Sequence, residues 1–109
     1  MHETLDDYEL MECIDEGLDL FGSNLRYLVY WRMTILNNLP RGGILANPGA
    51  FVKGLESIYG SAAKQIEVAI VNKIIERSGM QSLQSSSLPE AIHSVKKQAL
   101  KIEATNISR

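Results

Sequence analysis

Between residues 47 and 79 the chain alternates apolar and polar positions at helical spacing, and punctuation stands at each boundary. Asn47 can cap with its side-chain oxygen, and Pro48 suits a first helical position because its φ is fixed and its missing N–H is not needed there. Phe51, Val52, Leu55, Ile58 and Tyr59 then recur at spacings of three and four, and Gly60 can close the helix in the left-handed conformation. Ser61 is the expected cap of the next helix, which carries Ala62, Ala63, Ile66, Val68, Ala69, Ile70, Val71, Ile74 and Ile75 before Gly79. Only the arc of Gln65, Asn72 and Glu76 is cleanly polar there, as expected of a central helix touched on several sides. The pattern predicts a helical hairpin, with Gly54 inside its first arm marking a close approach between helices.

Two amphipathic segments precede the hairpin. Met11, Ile14, Leu18 and Phe21, with Leu10 beside them, form the stripe of a first helix that ends at Gly22 and begins among the acids Asp6, Asp7 and Glu9. Ser23 can cap a second helix over Asn24 to about Asn38, whose predicted core arc is Leu25, Leu28, Val29, Met33, Ile35, Leu36 and Leu39. Tyr27, Tyr30 and Trp31 lie on the opposite arc, so this helix is expected to be covered on both sides, by its own chain or by a partner. Arg32 falls inside the predicted core arc. It either extends its charged head past its neighbours to water or forms a buried ion pair, with Glu67 or an acid of the first helix as partner. Pro40 to Ala46 reads as a connection in which Gly42-Gly43 turns and Ile44 and Leu45 tuck onto the core.

Met80 to Ser87 is polar and of low complexity, which predicts a flexible linker over residues 80–87. Ser87-Leu88-Pro89-Glu90 then reads as a capping box with proline at its start. In the helix that follows, Leu88, Ile92, Val95, Ala99 and Ile102 form a narrow seam spaced four, three, four, three, too short for an independent coiled coil. The expected organisation is a single domain with a bundle core over 1–79, the linker, and a helix over 88–109. That helix packs on the core or across a dimer, with the linker favouring the dimer.

The composition fits an all-α, compact bundle of about five helices around the central hairpin. The 109 residues are 45% hydrophobic and 22% charged, as in globular domains, and the net charge of −2 supplies no basic field for nucleic acid. Single Cys13 allows neither an internal disulfide nor a multi-cysteine zinc site. No apolar run reaches the roughly 20 residues of a membrane span, and the acidic start is unlike a secretory leader, so a cytoplasmic location is expected. Eight acids and no Lys or Arg occupy residues 1–20, whereas Lys96, Lys97 and Lys101 stand near the other end. The two ends should attract one another weakly.

Little in the chain points to reaction chemistry, and no enzyme, cofactor or metal is expected. The acids of the first helix lack the glycine of a calcium loop and any histidine at helical spacing. His2 stands at the terminus and His93 on the last predicted helix next to Lys96 and Lys97, where a solvent-facing position is expected, and Cys13 lies on an acidic helix that disfavours its thiolate. Gly42-Gly43 lacks the spacing of a phosphate-binding loop, and no serine sits in a G-x-S-x-G elbow. The hairpin at Tyr59-Gly60-Ser61 invites comparison with a helix-turn-helix, but its second helix is mostly isoleucine, valine and alanine rather than the polar residues that read base edges.

Gly17-Leu18 followed by Gly22, the pair Tyr30-Trp31, Asn47-Pro48 with Phe51, then Leu55, Ile58-Tyr59-Gly60 and Glu67 with Ile70 together resemble the Nitrososphaera output domain, an archaeal family of helical domains, over residues 14–75. The resemblance implies an all-helical fold and a place among archaeal regulatory proteins, as an output module attached to sensors. The expected function is therefore a non-enzymatic interaction or oligomerisation module, with a protein partner or a second copy as a homodimer. Its candidate contacts are Tyr27, Tyr30, Trp31, Leu88, Ile92, Val95, Ala99 and Ile102. A small dimeric DNA-binding regulator, using the basic face of the last helix, and a sensor enclosing a small apolar ligand are the alternatives.

Overall fold

A computed structural model describes the backbone of residues 5–107 and the side chains through residue 100. Five α-helices follow one another: α1 (Asp7–Asp19), α2 (Leu25–Asn37), α3 (Pro48–Tyr59), α4 (Ala62–Ser78) and α5 (Leu88–Ile107). Short 3-10 turns lie at Arg41–Gly43 and Gln81–Leu83. Among the described residues the fold is all-α, as the apolar periodicity requires.

Local chemistry sets most of the helix ends. Asp6 and Glu9 form a capping box at the start of α1, the Glu9 N–H donating to Asp6 at 2.8 Å and the Asp6 N–H to Glu9 at 3.3 Å. Asn47 accepts from the Ala50 N–H at 3.3 Å, with Pro48 opening α3. Ser87 and Glu90 form the second box, at 3.2 and 3.0 Å, and hydrogen bonding of the carboxylate to the Ser87 N–H, then to the Ser87 side chain, holds the Glu90 carboxyl below its usual range. Neither Ser23 nor Ser61 caps: α2 and α4 begin without a side-chain capping bond. Instead, the Ala63 N–H donates to the Gly60 carbonyl as the chain reverses through Gly60 at φ +60°. Asn38 closes α2 in the left-handed region, φ +53°, and the Leu39 N–H returns to the Met33 carbonyl.

Helix α4 is the centre of the bundle, packed by α1, α3 and α5. Phe51, Leu10, Ile14, Leu18, Met33, Ile44, Leu55, Ile70, Ile74, Leu88 and Ile92 are fully buried around it. Two glycines permit the tightest crossings. Gly17 lies against the backbone of Ile70, and Gly54 against the Met33 thioether and Asn37.

Three expectations change. Leu28, Ile35 and Leu36 are not core residues but are exposed, and only Val29, Met33 and the following Leu39 are buried on that side of α2. The buried arc is rotated toward Leu25 and Tyr30, which pack against the core. Residues 80–87 are not an open linker, because Gln81–Leu83 is a 3-10 turn that buries Leu83 and ties Met80 and Ser86 by backbone bonds. Finally, α5 spends Leu88, Ala91, Ile92 and Val95 on its own chain's core, so these residues form no free seam for a dimer. Ala99 is half-buried, and the Ile102 side chain lies outside the described residues.

Candidate interaction surface and its polar anchor

Helix α2 has one face held by the bundle and another open to solvent. On the open face, Tyr27 is 67% exposed, Leu28 41%, Trp31 61% and Ile35 61%, while Leu36, 67% exposed near the end of the helix, lies off this arc. At 100° per residue, Tyr27, Trp31, Ile35 and Leu28 fall within a single arc of about a quarter turn. Leu20 and Phe21, exposed in the turn leading into α2, add to the apolar surface at this end of the molecule. Scattered exposed apolar side chains are ordinary, but a continuous strip along one helix is not.

The inner face is pinned by a polar cluster centred on Asp15. Asp15 belongs to the apolar side of α1, four residues after Met11 and three before Leu18, and it is buried at 8% exposure. Its carboxylate accepts from the Tyr30 hydroxyl at 2.5 Å and from Arg41 at 2.7 and 3.3 Å, while an Arg26 nitrogen stands 3.6 Å away. Arg26 also grips Asp19 with two bonds, at 2.5 and 3.0 Å, and its guanidinium lies 5.6 Å from the Tyr27 ring centroid. Arg41 sits 5.8 Å from the Tyr30 centroid. One carboxylate thus joins α1, α2 and the turn after α2. Burial, then the bond to Asp15, push the Tyr30 phenol far above its ordinary range, so it stays protonated and donates. The bonds to Asp15 and Asp19 hold Arg41 and Arg26 in the charged form.

A second charge cluster faces α4. Arg77 bridges Glu12 at 2.8 Å and Glu16 at 2.6 Å, so the acids of α1 are matched mainly by arginines of α2, the following turn and α4. Among the described residues, the expected attraction between chain ends is represented by Lys96, 4.0 Å from Asp7; Lys96 also donates to the Leu45 carbonyl at 3.4 Å.

Arg32 and Glu67 do not pair. Glu67 is buried at 6% exposure, but its carboxylate accepts from the Leu88 N–H at 2.7 Å and stands 3.7 Å from Lys64. It therefore ties the start of α5 to α4. Arg32 is half-buried at the border of the open strip, and among the described residues no carboxylate lies within 4 Å of it. The rotation of the buried arc explains this: Arg32 points along the outer side of α2, away from the bundle interior.

Of the candidate contact residues, the structure keeps Tyr27 and Trp31 together on the surface with Leu28 and Ile35. It turns Tyr30 inward to Asp15 and sends Leu88, Ile92 and Val95 into the core. Residue-type reading passed over Asp15, although an acid at an apolar helical position was a usable signal. Cys13 is fully buried, and desolvation outweighs the nearby Arg77 to push its thiol up to about 11, with Glu16, Glu12 and Glu9 adding to the rise. At about pH 8, folded protein should react with iodoacetamide on the order of 100-fold more slowly than denatured protein, measured by mass spectrometry. Equal rates would show that Cys13 is accessible.

Helix α4 is enclosed by α1, α3 and α5, which leaves Lys64, Gln65, Val68, Asn72 and Glu76 on its open side. Lys97 and His93 of α5 are exposed, whereas Lys101 and His2 lie outside the described side chains. A depression of about 780 Å³ opens between the start of α1 and α5, rimmed by Asp6, Asp7, Glu9 and Lys96 over Leu5, Ala99 and Leu100. No group of three or more His, Cys, Asp or Glu among the described residues is placed to hold a metal ion. Among the described residues no helix is long and apolar enough to cross a membrane. Comparison with family models, curated proteins and solved structures finds no match to the chain.

Proposed function

We propose that this chain is a non-enzymatic helical interaction module that engages a protein partner through the outer face of α2, in archaeal signalling or regulation as the family resemblance implies. The observation that carries this reading is the strip Tyr27, Leu28, Trp31 and Ile35, exposed on a helix whose inner face is pinned to the bundle. A partner would meet a surface already in place, which lowers the ordering cost of association. Trp and Tyr bury much area with few rotors, and the positively charged Arg32 at the edge suits an interface rim.

A photo-cross-linking residue placed at position 31 or 35, in cells of the native host, tests the reading. Discrete adducts are expected at both positions and not at exposed position 97 on α5. Absence of an adduct at position 31, in protein shown to be folded, would reject the α2 face as an interface.

A further inference from the structure

We infer that the occupant of the α2 face is a second copy of this chain, docked with its own α2 antiparallel across a two-fold axis near Trp31; the inference rests on the interaction reading above. Two observations favour a copy. The first is the pattern of the strip, in which Tyr27 stands four residues before Trp31 and Ile35 four residues after it. Two antiparallel helices centred at Trp31 therefore bring Tyr27 of each against Ile35 of the other and Trp31 against its mate. These three positions of one helix each meet an apolar position of the other, the self-complementarity that an isologous interface requires. Successive members of the strip are about 6 Å apart along the axis, so the pairing spans just over two turns of each helix.

The second observation is area. At their exposures Tyr27, Leu28, Trp31 and Ile35 present on the order of 500 Å², well up the range of the largest patch on an ordinary monomer. Leu20 and Phe21, exposed in the preceding turn, bring the total to about 700 Å², close to the roughly 800 Å² that each partner gives to a standard interface. A strip of this size on a 12.1 kDa chain is matched by an equal strip on a copy.

The geometry has an electrostatic signature. A two-fold axis near Trp31 sets Arg32 and its mate on the same side of the helix pair, with no carboxylate beside either among the described residues. Their repulsion acts through solvent at the rim, so it is screened by salt. Pairing should accordingly tighten as salt rises. A mixture of wild-type and Arg32→Glu chains should pair with one another in preference to either with itself.

Sedimentation equilibrium of the full chain is the test. At about 50 µM the expected mass is twice 12.1 kDa, and Trp31→Ala should weaken pairing at least tenfold with unchanged far-UV circular dichroism. In an equal mixture with Arg32→Glu, more than the statistical half of dimers should be mixed. A monomer at several times that concentration, or random mixing, overturns the two-fold arrangement. The cross-linking outcome at position 31 separates the two readings: an adduct with a different protein rejects self-pairing while keeping the interaction module. If no adduct forms there, both fail.

Discussion

Gly17→Ala should cost on the order of 3 kcal/mol and lower the melting temperature by roughly 10–15 °C, by overpacking the α1–α4 crossing. A Cβ at position 17 would stand 2.6 Å from Ile70 Cγ1, 2.8 Å from its Cα and 3.0 Å from its backbone nitrogen. Side-chain rotation can relieve the first of these contacts. It cannot relieve the other two, so the helices must separate along the most extensive contact in the bundle. Gly54→Ala provides the comparison. There a Cβ meets Met33 Sδ at 2.5 Å and Cε at 2.7 Å, the end of a flexible side chain that can reorient. Its expected cost is about 1 kcal/mol, since the buried thioether still has to find room. Urea unfolding of both variants checks the ordering, and a Gly17→Ala protein as stable as wild type would contradict the backbone contact.

The second large effect is at Asp15. Asp15→Ala should destabilise by about 2 kcal/mol, because the partly buried Tyr30 hydroxyl loses its acceptor and α1 loses its link to α2. Arg41 adds less, since its side chain is 46% exposed and its released charge is largely solvated. Tyr30→Phe keeps the Asp15–Arg41 pair and should cost only about 1 kcal/mol. Hydrogen exchange should locate the damage, with faster opening of α2 than of α4 in the Asp15→Ala protein. Uniform loss of protection through α2 and α4, or a cost below that of Tyr30→Phe, would show that the cluster does not anchor α2. The same variant bears on function, because the outer strip is oriented through this anchor. A loosened α2 should weaken any association that uses Trp31.

The site was half legible in the sequence. Tyr27 and Trp31 stand out in it as aromatics opposite an apolar arc, and both are exposed. Leu28, Ile35 and Leu36 were assigned to the core because hydropathy ranks them with Val29 and Met33. Periodicity reports that a helix has a broad apolar arc, not which part of it the neighbouring helices reach. Here α1 and α3 cover a narrow part, and Gly54 lets Met33 approach α3 closely. The seam of α5 posed the same ambiguity and was resolved the other way, since Glu67 receives the Leu88 N–H and seats the helix on its own core.

The sequence by itself determined the helices and many of their ends, since caps, prolines, left-handed residues and apolar repeats act over three or four residues and need no distant partner. Asn47-Pro48, Gly60, Gly79 and the Ser87–Glu90 box needed only their immediate neighbours. Tertiary structure alone decided that Asp15 meets Tyr30 and Arg41, that Arg77 meets Glu12 and Glu16, and that Arg32 and Glu67 stay apart. Those partners are separated by 15 to 65 positions, so their meeting depends on helix rotation and crossing. These are set by the packing of the whole core rather than by any local stretch of chain.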